Sequence, residues 1–281
     1  MAHNSSEGNL LIGSKRTALF DCGMAFCAED TIHNVKNALN NRPLDYLFIT
    51  HTHYDHIGAL PFFKIEWPDL CIMTCEIGAG VLLKDTPRKT FRELSVSAAK
   101  RFESDYLMDY NDDLFRADKI IKENDIISLG DISVKVLETP GHTRDALSFF
   151  IPELELLILS ETTGVFFPDG SIYPCYLTSF NDTVNSIKKC RSYPYKYLSF
   201  PHRGIIENDF TQNYFDRARN EIVGCCDFIL KMKNDGHGEE QMLDLFFQKY
   251  GSEILLKYQP KEAFMANSRA AIACTLKENC Q

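Results

Sequence analysis

The sequence predicts an α/β (α+β) fold with a C-terminal helical extension, on three observations. Short apolar strands recur from Asn9 to about residue 160, each ending in a turn or a polar loop. Helical periodicity replaces them past Asp209. The 281-residue chain is 44% hydrophobic and 25% charged, the composition of an ordinary globular protein. At this size roughly three quarters of the unfolded surface is buried on folding, so a large core needs no staples.

Taken in order, Asn9 to Gly13 and Thr17 to Gly23 read as a hairpin across a Gly-Ser-Lys-Arg turn. Ile32, Val35 and Leu39 recur at helical spacing behind an Asp30/Thr31 cap, and Pro43 ends the pattern, predicting a helix over 30–41. Tyr46 to Thr50 is a strand that runs into a histidine cluster, and Ile57 to Phe63 opens another helix. Phe91, Leu94, Ala98, Phe102 and Tyr106, three and four apart, predict a helical insertion over about 84–118. Strands resume at 126–129 and 132–137 across a Gly130-Asp131 turn, then at 146–151 and 154–159. Phe210 to Asn234, Glu239 to Tyr250 and Lys261 to Glu278 read as helices, the last with Pro260 placed for its first turn.

Several function classes are disfavoured. With 30 Lys+Arg against 39 Asp+Glu, the net charge of −9 argues against non-specific nucleic-acid binding. No apolar run approaches the 18 or so residues of a membrane span. The polar start, Met1 to Gly8, lacks the basic and apolar stretches of a secretory signal, so the expected compartment is the cytoplasm. There the ten cysteines should be reduced thiols, and no CxxC pair is present to build a zinc–thiolate site.

The chemistry lies in the histidines. His51-Thr52-His53-Tyr54-Asp55-His56 places four metal-ligand types within six residues at the end of an apolar strand. Alternation along a strand can turn His51 and His53 to one side, and imidazole with carboxylate suits zinc, iron or manganese. Three further ligand types follow strands downstream: His142 in Thr139-Pro140-Gly141-His142-Thr143, Glu161 in Ser160-Glu161-Thr162, and His202 in Phe200-Pro201-His202-Arg203. Five of the eight histidines thus fall in strand-end loops.

With an Asp21-x-Gly23 step before them, these motifs appear in an order that resembles the metallo-β-lactamase fold hydrolases. The resemblance spans 9 to about 204 and implies a four-layer αββα sandwich, with a catalytic domain expected over 1–208; the Phe-, Met- and Tyr-rich helices over 209–281 are expected to pack on it as a cap. It also implies a two-metal site. His51, His53 and His142 would hold one ion, Asp55, His56 and His202 the other, and Glu161 would bridge them where the family has Asp. Two zinc ions are expected, with iron or manganese as alternatives. Asp21 would accept a hydrogen bond from a ligand histidine, and Asp55 would orient the attacking hydroxide.

The expected activity is hydrolysis of an ester-like bond in a small molecule, a thioester or lactone, by a metal-bridging hydroxide. A phosphodiesterase on the same site is the alternative, and an iron-dependent oxidoreductase a more distant one, since flavodiiron members carry Glu where this chain has His53. Arg144 and Arg203 have two readings, a contact to an anionic substrate group or plain surface charge. The aromatic spacings read mainly as core, while Tyr106, Tyr110, Phe166, Phe167, Tyr173 and Tyr176 fall where the resemblance places substrate-facing walls; the C-terminal helices would cap the site or form a homodimer surface.

Overall fold

The computed structural model describes residues 8–104, 109–207 and 211–279. The chain divides into two compact units, Met1–Glu138 with Leu147–Ile158, and Thr139–Ala146 with Leu159–Gln281.

In the first unit β1 (Asn9–Ile12), β2 (Thr17–Phe20), α1 (Ala28–Leu39), β3 (Tyr46–Phe48), α2 (Tyr54–Ile57), α3 (Leu60–Glu66), β4 (Cys71–Thr74), α4 (Glu76–Leu82), α5 (Asp85–Arg101) and β5 (Lys119–Ile120) follow one another. The strands form a sheet in the order β1-β2-β3-β4-β5, antiparallel at β1-β2 and parallel beyond. A second sheet takes β6 (Ile126–Ser128), β7 (Ser133–Glu138), β8 (Leu147–Ile151) and β9 (Leu156–Ile158), paired antiparallel in sequence order.

The two-residue side-chain period of a strand decides what lies between the layers. Leu19, Leu47 and Ile72 share one buried cluster with Val35 and Leu39 of α1, Leu60 and Phe63 of α3, and Phe91 of α5. Their neighbours Phe20 and Phe48 turn the other way. Those rings stack at 5.0 Å, and Phe149 of β8 meets them at 5.0 and 5.3 Å. Each such ring stabilises the fold by roughly 1.5–3 kcal/mol relative to exposure, so the Phe20–Phe48–Phe149 cluster is a principal bond between the two sheets.

The second unit contains β10 (Val165–Phe166), β11 (Ile172–Tyr173), α6 (Phe180–Arg191), β12 (Tyr197–Phe200), β13 (Gly204–Glu207), α7 (Tyr214–Asn234), α8 (Glu239–Tyr250), α9 (Glu253–Tyr258) and α10 (Lys261–Asn279). Two hairpins, β10-β11 and β12-β13, precede the long helices. Phe215, Ala218, Ile222, Cys225, Ile229 and Met232 make a buried stripe down α7 at three- and four-residue spacing, the pattern of a helix with one face in the core. Tyr173 of β11 packs on Phe264 of α10 at 5.8 Å and Tyr250 of α8 at 6.2 Å, so the C-terminal helices share a core with the segment that follows Glu161. No helix among the described residues is long and apolar enough to cross a membrane.

Some sequence expectations are corrected. The first helix starts at Ala28, after a 3-10 turn over Ala25–Cys27, and Asp30/Thr31 is not its cap. Thr31 lies inside the helix and its hydroxyl donates to the Cys27 carbonyl one turn back. Among the described residues, the 84–118 insertion is helical over Asp85–Arg101, with a 3-10 turn at Asp112–Leu114 before β5. Helix α7 begins at Tyr214, four residues later than the apolar pattern predicts, behind Asn213 in the left-handed region. Helices α4 and α9 and strand β4 were not anticipated, being short, nor was α6, whose buried face of Thr183, Ser186, Ile187 and Cys190 is half polar.

Candidate metal centre

The first unit presents the histidine cluster at the end of β3. His53 is the N-cap of α2, so the chain turns directly from strand into helix and carries Asp55 and His56 in the first turn. Gly58 allows this: a Cβ there would lie 2.6 Å from the Tyr54 carbonyl and 2.7 Å from the Ala25 nitrogen. His51 and His53 have ring centroids 4.6 Å apart, and His51 and His56 4.2 Å. His51 is fully buried, His56 nearly so, and His53 and Asp55 half-buried. The His51 and His53 donor atoms lie within 4.8 Å of one another, as do those of Asp55 and His56.

Asp21 organises this cluster from the end of β2. It is buried and takes a left-handed backbone conformation (φ 58°), a region that Asp tolerates better than most residues. One carboxylate oxygen accepts the Thr50 amide at 2.8 Å; the other accepts the Thr50 hydroxyl at 2.7 Å and His56 Nδ1–H at 2.9 Å. The amides of Cys22 and Gly23 in turn donate to the His56 carbonyl at 2.9 and 3.1 Å. A carboxylate accepting from Nδ1 fixes the tautomer and leaves the Nε2 lone pair as the ligand atom. Thr50 was not singled out from the sequence, where only its place beside His51 could have pointed to it.

The second unit presents His142, Glu161 and His202. The His142 turn is sharp: Gly141 has φ 142°, and a Cβ there would lie 2.1 Å from the Thr183 hydroxyl. The Gly141 carbonyl accepts the amides of Leu177 and Thr178 and the Thr178 hydroxyl, and Ser186 holds the Pro140 carbonyl. His142 Nδ1–H donates to the Cys175 carbonyl at 2.8 Å, which again leaves Nε2 as the ligand atom.

Glu161 begins a 3-10 turn after β9 and is 7% exposed. Its two oxygens are divided between two imidazoles: Oε2 is 2.7 Å from His142 Nε2, and Oε1 is 2.7 Å from His202 Nε2. Lone pairs at that separation need a proton or a cation to hold them together. Burial alone would lower the pKa of His142, but Cys175 and the Glu161 carboxylate outweigh it and hold the imidazole well above its ordinary value. The site is built to stabilise positive charge between these groups. His202 sits in the turn between β12 and β13 at φ 61°, in the left-handed region that histidine, like aspartate, enters more readily than most residues.

The other sequence-predicted residues fall elsewhere. Tyr176 is fully buried, with its hydroxyl 2.8 Å from that of Thr275 on α10, so it is a core residue of the second unit and not a substrate wall. Phe166, Phe167 and Tyr173 are likewise buried, Phe166 against Tyr214 of α7 and Tyr173 against Tyr250 of α8 and Phe264 of α10. Tyr110 packs between Phe62 and Phe115 under Arg92, where burial pushes its phenol up to about 12. Arg144 is exposed and Arg203 half-buried. Tyr106 lies outside the described residues.

The sequence model of the metallo-beta-lactamase superfamily matches residues 9–202. The metallo-beta-lactamase fold-containing protein ST1585 of Sulfurisphaera tokodaii is 25% identical over 220 residues, 76% of this chain and 79% of that protein. The hydroxyacylglutathione hydrolase of Rhodopseudomonas palustris is 27% identical over 116 residues, 41% of this chain but only 32% of that enzyme. Among solved structures, the metallo-beta-lactamase family protein TTHA1429 from Thermus thermophilus superposes with a TM-score of 0.64 at 17% identity, covering 96% of this chain and 88% of that one.

Proposed function

Because the chain belongs to the metallo-β-lactamase superfamily and has its αββα fold with helices added at the C-terminal end, we propose that it is a metal-dependent hydrolase of an ester-like bond, a thioester or lactone, in a small molecule. The observation that carries this reading is the division of the Glu161 carboxylate between His142 and His202, the donor geometry of a carboxylate serving two cations. On this reading His51, His53 and His142 would hold one divalent ion and Asp55, His56 and His202 the other, with Glu161 available to both. The all-nitrogen-and-oxygen donor set fits zinc, with iron and manganese compatible.

Two such ions, when bound, supply a water of lowered pKa and a Lewis acid for the acyl oxygen. The chain's own residues supply the rest. Asp55 orients the attacking water and holds its proton until the leaving group needs it. Asp21, through His56 Nδ1, and the Cys175 carbonyl, through His142 Nδ1, keep both rings aimed with Nε2 forward. The burial of His51, His56, His142 and Glu161 excludes bulk water and strengthens each electrostatic interaction. Arg203, in the His202 turn, meets an anionic group on the substrate.

The thioester preference is supported by the hydroxyacylglutathione hydrolases among the relatives, since an acyl group on the sulfur of glutathione is a thioester. The test is a panel of thioesters, lactones, β-lactams and phosphodiesters offered to protein purified without added metal, with its metal content measured in parallel. Turnover of a thioester or lactone is the expected result. Turnover of phosphodiesters alone, or iron content with oxygen consumption, would overturn the proposal.

A further inference from the structure

The first residue of the C-terminal helices touches both segments that carry the second unit's acidic and terminal histidine donors. Tyr214 opens α7 and is fully buried. Its hydroxyl donates to the Thr163 carbonyl at 2.9 Å, with the Gly164 carbonyl at 3.2 Å sharing the proton, and these residues close the 3-10 turn that Glu161 begins. Its ring packs edge-on against Phe200 at 4.7 Å, the last residue of β12 and two before His202. Phe166 completes the cradle, stacked on Phe200 at 4.9 Å and 6.0 Å from Tyr214.

One side chain therefore spans the Glu161 turn and the His202 turn. The turn cannot shift freely on its other side, because the Thr162 hydroxyl donates to the Thr139 carbonyl at 2.7 Å and accepts the His142 amide at 3.3 Å. Gly164, at φ 98°, leaves no room for a Cβ, which would lie 2.6 Å from Ile172. His202 itself stands in the left-handed region at φ 61°, in the short turn between β12 and β13.

We infer that Tyr214 is a positioning residue that sets the separation between the carboxylate of Glu161 and the imidazole of His202. The C-terminal helices then contribute to the metal site by bracing two of its ligands from behind. This inference rests on the reading of Glu161 and His202 as metal ligands.

Zinc affinity, measured by competition with a chromogenic chelator, is the readout, alongside thermal unfolding of the metal-free protein and the visible spectrum of the cobalt-substituted form. Tyr214→Phe keeps the ring on Phe200 and removes only the hydroxyl; Thr275→Val removes a different buried hydroxyl from the same helical core. Tyr214→Phe is expected to weaken zinc binding about 10-fold and alter the cobalt spectrum, as loss of a residue supporting a ligand does, whereas Thr275→Val changes stability without either effect. Unchanged affinity in Tyr214→Phe, or an equal loss in Thr275→Val, would overturn the inference. Glu161→Gln separates the two levels. If it loses zinc while Tyr214→Phe does not, the positioning role fails alone; if it too binds zinc as the wild type does, the ligand assignment itself fails.

Discussion

Asp21 and His56 form a buried pair in which the aspartate accepts the imidazole Nδ1 proton at 2.9 Å while also holding the amide and hydroxyl of Thr50. Asp21→Ala would leave three buried donors without an acceptor and place alanine at φ 58°. A destabilisation of roughly 3 kcal/mol is expected, with a 10- to 100-fold loss of metal affinity. Denaturant unfolding of the metal-free protein and zinc competition check the two separately. A loss of affinity with no loss of stability would show that Asp21 does not hold the loop as described.

Glu161 reaches both His142 and His202, and shortening it tests whether it must. Glu161→Asp withdraws the carboxylate by roughly one C–C bond, about 1.5 Å, so it can no longer stand 2.7 Å from both rings without backbone movement. Weaker retention of one ion and lower kcat are expected, measured by metal analysis after dialysis and by steady-state hydrolysis. Full retention of both would mean that the extra methylene is accommodated elsewhere.

Gly141→Ala should be among the most damaging substitutions outside the ligands. The new Cβ would meet the Thr183 hydroxyl at 2.1 Å and the Thr162 methyl at 2.8 Å, at a φ of 142° that alanine rarely adopts. Strain and overpacking together are expected to cost roughly 2–4 kcal/mol, seen as a lower unfolding midpoint. Near-wild-type stability would mean that the turn relaxes at little cost.

The thiols should be inert in the folded protein. Burial pushes Cys225 and Cys274 up to about 12, so at pH 8 almost none of either is thiolate, the reactive form. Of the described cysteines only Cys71 is not buried. Iodoacetamide at pH 8 is expected to modify Cys71 well before the others, and denaturant to expose the rest, with peptide mass spectrometry as the readout. Rapid native labelling of Cys225 would contradict the burial of the α7 stripe.

The candidate ligand residues were legible because each stands in a short local signal. His51 to His56 is contiguous, and His142, Glu161 and His202 each follow an apolar strand. What supports them was not legible. The exception is Asp21, expected as acceptor for a ligand histidine; its hold on Thr50, 29 residues away, and the Tyr214 bond to Thr163, across 51, are marked by no periodicity. Aromatic residues misled for the same reason. Tyr176 follows a ligand loop in sequence, but its surroundings are set by Thr275, 99 residues away. Helix ends were misplaced where tertiary contacts override capping chemistry: Thr31 is a plausible cap by type yet back-bonds to Cys27 within the helix.

The most direct measurement is the number of metal ions bound per chain, with hydrolysis followed on the same samples, for the wild type, His53→Ala and His202→Ala. About two ions are expected in the wild type and about one in each variant, with thioester or lactone hydrolysis lost in both. A wild type that retains no metal, or variants that bind and hydrolyse as it does, would contradict the assignment of these residues as a dinuclear hydrolytic centre.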